Sequence, residues 1–296
     1  MAAKSCLIES GGTLRPHPSE TSLGCPRDFL DNRFVYLVVS ARARGLSICI
    51  NMNPDKLCNF DCIYCEVDRA APPAEKELDI FVMAEELQRT LTLVASGKIR
   101  ELPAYRGLSD DLAHLRHVAF SGDGEPTLSP QYAEAVQEVV HVRARHSPFF
   151  KLVLITNGTA LDSPAVQESL HYFTREDEIW IKLDAGTQAH MDVVNRGQVP
   201  LQKVLDNALL IGRRHPIVIQ SLFPQISGLE PSLEEIDAYV HCLNELKHAG
   251  AQISSIQIYS ATRPSARPDC EHLPLKILSR ISQQVKAQTG LKAEVF

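Results

Sequence analysis

The sequence predicts an α/β protein built as a partial (βα)6 TIM-like barrel around a parallel sheet. Three observations carry that expectation. Short apolar runs of strand length alternate with longer amphipathic runs from Phe34 onward, the pattern of successive βα units. Polar side chains recur on one face of several apolar runs, as residues facing a lumen would, whereas a sheet covered on both faces reads as almost wholly apolar. About six units fit the chain, more than a small domain needs and fewer than a closed eight-unit barrel.

Taken in order, residues 1–33 read as an irregular N-terminal arm, because GGTLRPHPSETSLGCPRD is rich in Gly, Pro, Ser and Thr and has no period. Residues 34–296 read as the barrel with a C-terminal helix. Strands are expected over 47–52, 117–121, 152–156, 179–184, 217–223 and 255–260. Between them lie the helical patterns MAEELQRTLTLVASG, PQYAEAVQEVVHVRARH, SPAVQESLHYF, LQKVLDNALLIGRRH and SLEEIDAYVHCLNELKHAG. Ser129-Pro130 and Pro231-Ser232 each join a capping residue to an early proline and mark two helix starts. Alternation puts Trp180, Lys182 and Asp184 on one strand face and Ser255, Gln257 and Tyr259 on another, while Gln220 interrupts a third run.

Composition narrows the function classes. The 296 residues are 44% hydrophobic and 22% charged, which excludes a disordered or collagen-like chain. Thirty Lys and Arg against 36 Asp and Glu leave a net charge of −6, so no global basic field announces a nucleic-acid partner. Basic pieces are local: Arg42 and Arg44 before the first expected strand suit a phosphate contact or an internal ion pair. Arg143, Arg145, Arg213 and Arg214 end helices, where cations favour the dipole. No run approaches the roughly 18 apolar residues of a membrane span. The opening MAAKSCLIESGG lacks a secretory pattern, so a cytoplasmic location is expected.

The sharpest feature is a trio of cysteines, Cys58, Cys62 and Cys65, at C-x3-C-x2-C spacing directly after the first expected strand. Thiolates select iron–sulfur clusters, zinc or copper(I). Three thiolates leave one iron of a cubane cluster open to a chelating cofactor. A zinc site would want a fourth ligand, which only folding can bring near, since the next histidine is His114 and the next cysteine Cys242. Several readings therefore stay open: an open-site cluster, in an enzyme or in an electron carrier or sensor, a zinc-stabilised binding module, and incidental cysteines that bind no metal.

The spacing, with aromatic Tyr64 before the last cysteine, resembles the radical S-adenosylmethionine (radical SAM) superfamily. Phe120-Ser-Gly-Asp-Gly-Glu-Pro-Thr127, Ile155-Thr-Asn-Gly158, Lys182-Leu-Asp-Ala185, Asn195-Arg196 and Thr262-Arg-Pro264 follow in order. That order is similar to the iron–sulfur oxidoreductase branch that includes the tRNA wyosine-synthesis enzymes. The resemblance implies a [4Fe–4S] cluster on Cys58, Cys62 and Cys65, with S-adenosylmethionine on its open iron. It further implies that Tyr64 lies against the adenine and that the turn Gly122, Asp123, Gly124 and Glu125 receives the methionine amino group. Asn157, Lys182 and Asp184 would complete the cofactor site, with Arg196 able to reach its ribose or carboxylate. The implied reaction is reductive cleavage to a 5′-deoxyadenosyl radical that abstracts hydrogen from a substrate, tRNA among the candidates. An external one-electron donor of flavodoxin or ferredoxin type would supply the electron. Cys6, Cys25 and Cys49 do not match the regular spacing of the wyosine enzymes' second cluster, so none is expected.

Overall fold

A computed structural model describes residues 29–262 and 270–296. Most of the expected N-terminal arm, with Cys6 and Cys25, lies outside the described residues, as do Arg263 and Pro264 of the last motif. The described residues form two compact units, one running to Leu57 and resuming over Val67–Leu152, the other of Cys58–Glu66 and the described residues from Val153 onward.

In the first unit, β1 (Val35–Ser40) and β2 (Gly45–Asn51) form an antiparallel hairpin, with Val35 opposite Ile50 and Ser40 opposite Gly45. β1 is too continuously apolar to show a period, which is why it escaped sequence reading. Arg42 and Arg44 consequently occupy the hairpin turn, where Arg44 N–H donates to the Ala41 carbonyl at 3.1 Å. Helix α1 (Ile80–Ala95) starts at Asp79, whose carboxylate accepts from the backbone of Phe81 and Val82. It carries Glu86, 2% exposed, whose carboxylate accepts from the N–H groups of Arg33, Phe34 and Val35 at 2.7, 2.9 and 3.1 Å. Strand β3 (Leu115–Ser121) runs parallel to β2, and α2 (Tyr132–Arg145) packs on α1. The start expected at Ser129-Pro130 is displaced: Ser129 closes a 3-10 turn over Pro126–Leu128, and α2 begins after Gln131 without a side-chain cap.

The second unit continues the alternation. It contains β4 (Lys151–Thr156), which starts at the boundary, then α3 (Pro164–Ser169), β5 (Glu178–Lys182), α4 (Gln188–Val194), α5 (Leu201–Gly212) and β6 (Ile217–Leu222). There follow β7 (Pro224–Ile226), α6 (Leu233–His248), β8 (Ile253–Tyr259), β9 (Cys270–His272), α7 (Leu275–Thr289) and β10 (Ala293–Val295). β4, β5, β6, β8 and β10 pair in that order, all parallel, and β7 pairs antiparallel with β9. Ser232 caps α6 as its sequence signature predicts, its hydroxyl accepting from Glu235 N–H. The polar strand residues form a rung: Lys182 stands opposite Gln220, and Gln220 opposite Gln257. Gln220 and Gln257, 1% and 6% exposed, hydrogen-bond to each other at 2.8 Å. Two of the polar groups expected to await a ligand in a lumen are thus satisfied by one another.

Candidate functional site

The cysteine loop belongs to the second unit, where strand ends and one short helix grip it. α4 ends at Val194, and helix ends leave their last carbonyls without partners. The loop supplies them: Ile63 N–H donates to the Val194 carbonyl at 2.9 Å and Asp61 N–H to the Asn195 carbonyl at 3.0 Å. Between those two backbone bonds the Asn195 side chain reaches the Cys62 sulfur at 3.5 Å. Close approach there needs Gly197, because a methyl group on it would sit 2.3 Å from the Phe60 ring. Within the loop, Cys65 N–H closes a turn on the Cys62 carbonyl and Phe60 N–H lies 3.5 Å from the Cys58 sulfur.

The end of β4 grips the other side. Asn157, 5% exposed, donates to the Asn59 side chain at 2.8 Å and accepts from Thr159 through both its N–H and its hydroxyl. Asn59 in turn donates to the Thr159 hydroxyl at 2.8 Å. Gly158 turns the chain with a φ of 81°.

Just past β5, Asp184 collects three donors. The Tyr64 hydroxyl and the Asn195 amide reach one carboxylate oxygen, the latter at 2.8 Å, and Leu222 N–H reaches the other at 2.8 Å. The Lys182 ammonium lies 5.2 Å from the Tyr64 ring centroid. Tyr64 is buried with Ile63, Val194, Leu222 and Tyr259, and Cys62, Ile226 and Cys270 pack against that cluster. Burial pushes the Cys62 thiol up to about 12, Lys182 pulling against it and Asp184 adding to it. A metal that takes Cys62 must therefore displace its proton. Arg196, given above a reach toward the cofactor, pairs with Asp61 at 3.5 Å and lines an open cavity of about 460 Å³ with Ile63, Asp192, Val193, Gly197 and Ile226.

The glycine–glutamate turn lies in the first unit. Gly122 has a φ of 148°, and Asn51 holds the turn by accepting from Asp123 N–H at 3.0 Å and donating to the Asp123 carboxylate at 2.8 Å. A methyl group on Gly124 would stand 1.8 Å from the Leu57 carbonyl oxygen. Glu125, 2% exposed, accepts from Thr127 through its backbone N–H at 3.2 Å and its hydroxyl at 2.6 Å, and its own N–H donates to Leu57. Its side chain thus fixes the turn. Beside Gly124 sits Asn53, 1% exposed, with an amide oxygen that meets no hydrogen-bond partner. A buried acceptor without a donor marks a place where a ligand group is wanted.

A family model described as the radical SAM superfamily matches residues 52–222, more than half of the chain. The chain belongs to the radical SAM superfamily. As a radical SAM enzyme it works with a [4Fe–4S] cluster and S-adenosylmethionine and, like its superfamily, depends on an external electron donor. A UPF0026 protein of Helicobacter pylori is 24% identical over 237 residues, covering 78% of this chain and 67% of the relative. Among solved structures, TYW1 with a lysine-pyruvate adduct bound has a TM-score of 0.54 at 16% identity, covering 84% of this chain and 75% of that one. A radical SAM methyltransferase from Sphaerobacter thermophilus has a TM-score of 0.59 at 16% identity, covering 88% and 68%. Streptococcus suis SuiB bound to S-adenosylmethionine has a TM-score of 0.56 at 14% identity, covering 82% and 48%. These likenesses carry the fold, the partial barrel that the sequence predicts. Among the described residues no helix is long and apolar enough to cross a membrane.

The donor set fits the superfamily's cofactors. Cys58, Cys62 and Cys65 are thiols outside any disulfide. Among the described residues no three Cys, His, Asp or Glu side chains converge to hold a single metal ion. A cluster places a different demand, one thiolate on each of three irons. The Asn53 oxygen is a buried acceptor that a ligand's donor group would satisfy, and Gly124 lets its turn lie against the Leu57 carbonyl beside it. Asn53, Asn59, Asn195 and Gly197 escaped sequence reading as site residues, although Asn59 lies inside the cysteine motif and Asn195 inside the Asn195-Arg196 pair.

Proposed function

We propose that this enzyme cleaves S-adenosylmethionine reductively and uses the product radical to take hydrogen from a substrate. The observation that supports this most is the cysteine loop, which Asn157 holds through Asn59, Asp184 through Tyr64 and Asn195 through Cys62. Cys58, Cys62 and Cys65 would hold the cluster. When bound, the reduced cluster would supply one electron to the cofactor's sulfonium, whose C–S bond would break to give methionine and the 5′-deoxyadenosyl radical. The chain's own tasks are binding and orientation. Gly122, Asp123 and Gly124 shape a turn for the cofactor's ammonium, with Asn53 as its side-chain acceptor and Glu125 as the brace that keeps the turn in place. Asp184 orients Tyr64 within the loop, and Lys182 offers a cation beside that ring. The resemblance to the wyosine enzymes makes tRNA the first substrate to try.

The test is anaerobic. Reconstituted protein is reduced with dithionite and given S-adenosylmethionine, and 5′-deoxyadenosine is assayed beside iron and sulfide. Four irons with deoxyadenosine release, both lost in Cys62→Ala, is the expected result. A Cys62→Ala protein that keeps iron and turnover overturns the proposal, as does equimolar zinc without sulfide. A cluster that never cleaves the cofactor, with or without added tRNA, points instead to an electron carrier.

A further inference from the structure

We propose that Asn195 is a positioning residue that raises the reduction potential of the cluster by donating a hydrogen bond to the Cys62 sulfur. The inference rests on the reading of Cys58, Cys62 and Cys65 as cluster ligands.

The geometry shows the bond directly. The Asn195 amide, on a residue 3% exposed, has two N–H groups and three acceptors in reach: Asp184 at 2.8 Å, the Tyr64 oxygen at 3.4 Å and the Cys62 sulfur at 3.5 Å. The Tyr64 hydroxyl donates to Asp184 and still accepts through its oxygen, so it shares the amide with the sulfur. One N–H goes to the carboxylate, and the other is shared between the Tyr64 oxygen and the Cys62 sulfur.

The position matters because of what stands behind it. Asp184 is buried and bonded to the same amide that reaches the Cys62 sulfur, and a carboxylate so close to a thiolate disfavours any added negative charge on the sulfur. An amide that donates to both anions relieves that repulsion without adding a charge of its own. Reduction adds one electron to the cluster, and hydrogen bonds to cluster sulfurs and the surrounding charge are levers on its potential. The donor therefore favours the reduced state. Asn195 is also fixed in place, since its own carbonyl accepts from Asp61 and its N–H donates to Met191 at 2.8 Å as the cap of α4.

The measurement is an anaerobic redox titration followed by electron paramagnetic resonance on the cluster-loaded protein, without S-adenosylmethionine. Asn195→Ala removes the donor. Asn195→Asp keeps the shape and puts an acceptor in its place. Thr187→Ala serves as a control: it weakens the other end of the same helix, where the Thr187 hydroxyl caps His190 N–H, and leaves the sulfur untouched. At a fixed potential the reduced-to-oxidised ratio should fall about tenfold in Asn195→Ala, about 59 mV for one electron. It should fall further in Asn195→Asp and stay at the wild-type value in Thr187→Ala. Unchanged potentials in both Asn195 variants overturn the inference, as does an equal shift in the control. Loss of iron from both Asn195 variants also overturns it, making the residue a support of the loop and nothing more. A wild-type protein that takes up no cluster sinks the ligand reading itself, a result distinct from all of these.

Discussion

At the residue scale, the two glycines of the turn differ in what they tolerate, and Gly124 is the sharper case. Its neighbour is a backbone carbonyl, which cannot swing away as a side chain can, so even one methyl group displaces the turn. Gly124→Ala is expected to weaken S-adenosylmethionine binding at least about tenfold, roughly 1.4 kcal/mol, while iron content stays at the wild-type level. Equilibrium dialysis with labelled cofactor on reconstituted protein checks it. Residues of this kind show how far the sequence could be read. Cysteine spacing and a Gly-x-Gly-Glu turn carry their chemistry in their own letters. Asn53, Asn59 and Asn195 do not, because an asparagine acquires a role only from the partner that folding brings to it. Asn59 meets Thr159 a hundred positions away, a pairing that no local pattern encodes.

At the element scale, the edge of the first unit depends on one buried carboxylate. Glu86 of α1 takes three consecutive N–H groups at the entry to β1. Truncation leaves those donors without an acceptor in a place water does not reach. Glu86→Ala should cost about 3 kcal/mol and Glu86→Gln, which keeps one acceptor oxygen, about 1 kcal/mol. Urea unfolding midpoints of the two variants test the order. All six strands expected from the sequence form, with boundaries shifted by a residue or two, because apolar runs bounded by turns survive into structure. The elements missed are the ones without a period to read. β1 is continuously apolar, α4 spans seven residues, and β7, β9 and β10 span three each. α4 is the costly omission, since its end holds the cysteine loop.

At the scale of the whole molecule, pH acts through His117. It lies on β3 at 2% exposure, and burial, with Lys151 and Arg42 adding to it, lowers its pKa from 6.5 to about 3. The unfolded chain binds a proton below pH 6.5 that the folded chain refuses until about pH 3. Folding stability is therefore full above 6.5 and falls as pH drops through that window, by up to about 1.4 kcal/mol per pH unit for this one group. Partly buried His146 and His215 shift in the same direction. Thermal melts of the wild type between pH 7 and 4.5 should show a steeper fall than those of His117→Leu, and parallel slopes would refute the assignment. The sequence placed His117 in a strand and could not tell that its ring faces inward among cations. Nor did composition foretell that the cysteine loop would be counted with the second half of the chain, since that membership is decided by partners such as Asn157 and Asn195.

That loop is held chiefly by carboxamides, a hydroxyl and main-chain carbonyls, none of which needs iron in order to bond. Oxygen that destroys a cluster would leave those ties intact. A damaged enzyme molecule would keep the mould in which its cluster was cast, and recovery would be a matter of resupplying iron and sulfide to a standing template. Repair, in such a molecule, does not have to pass through refolding.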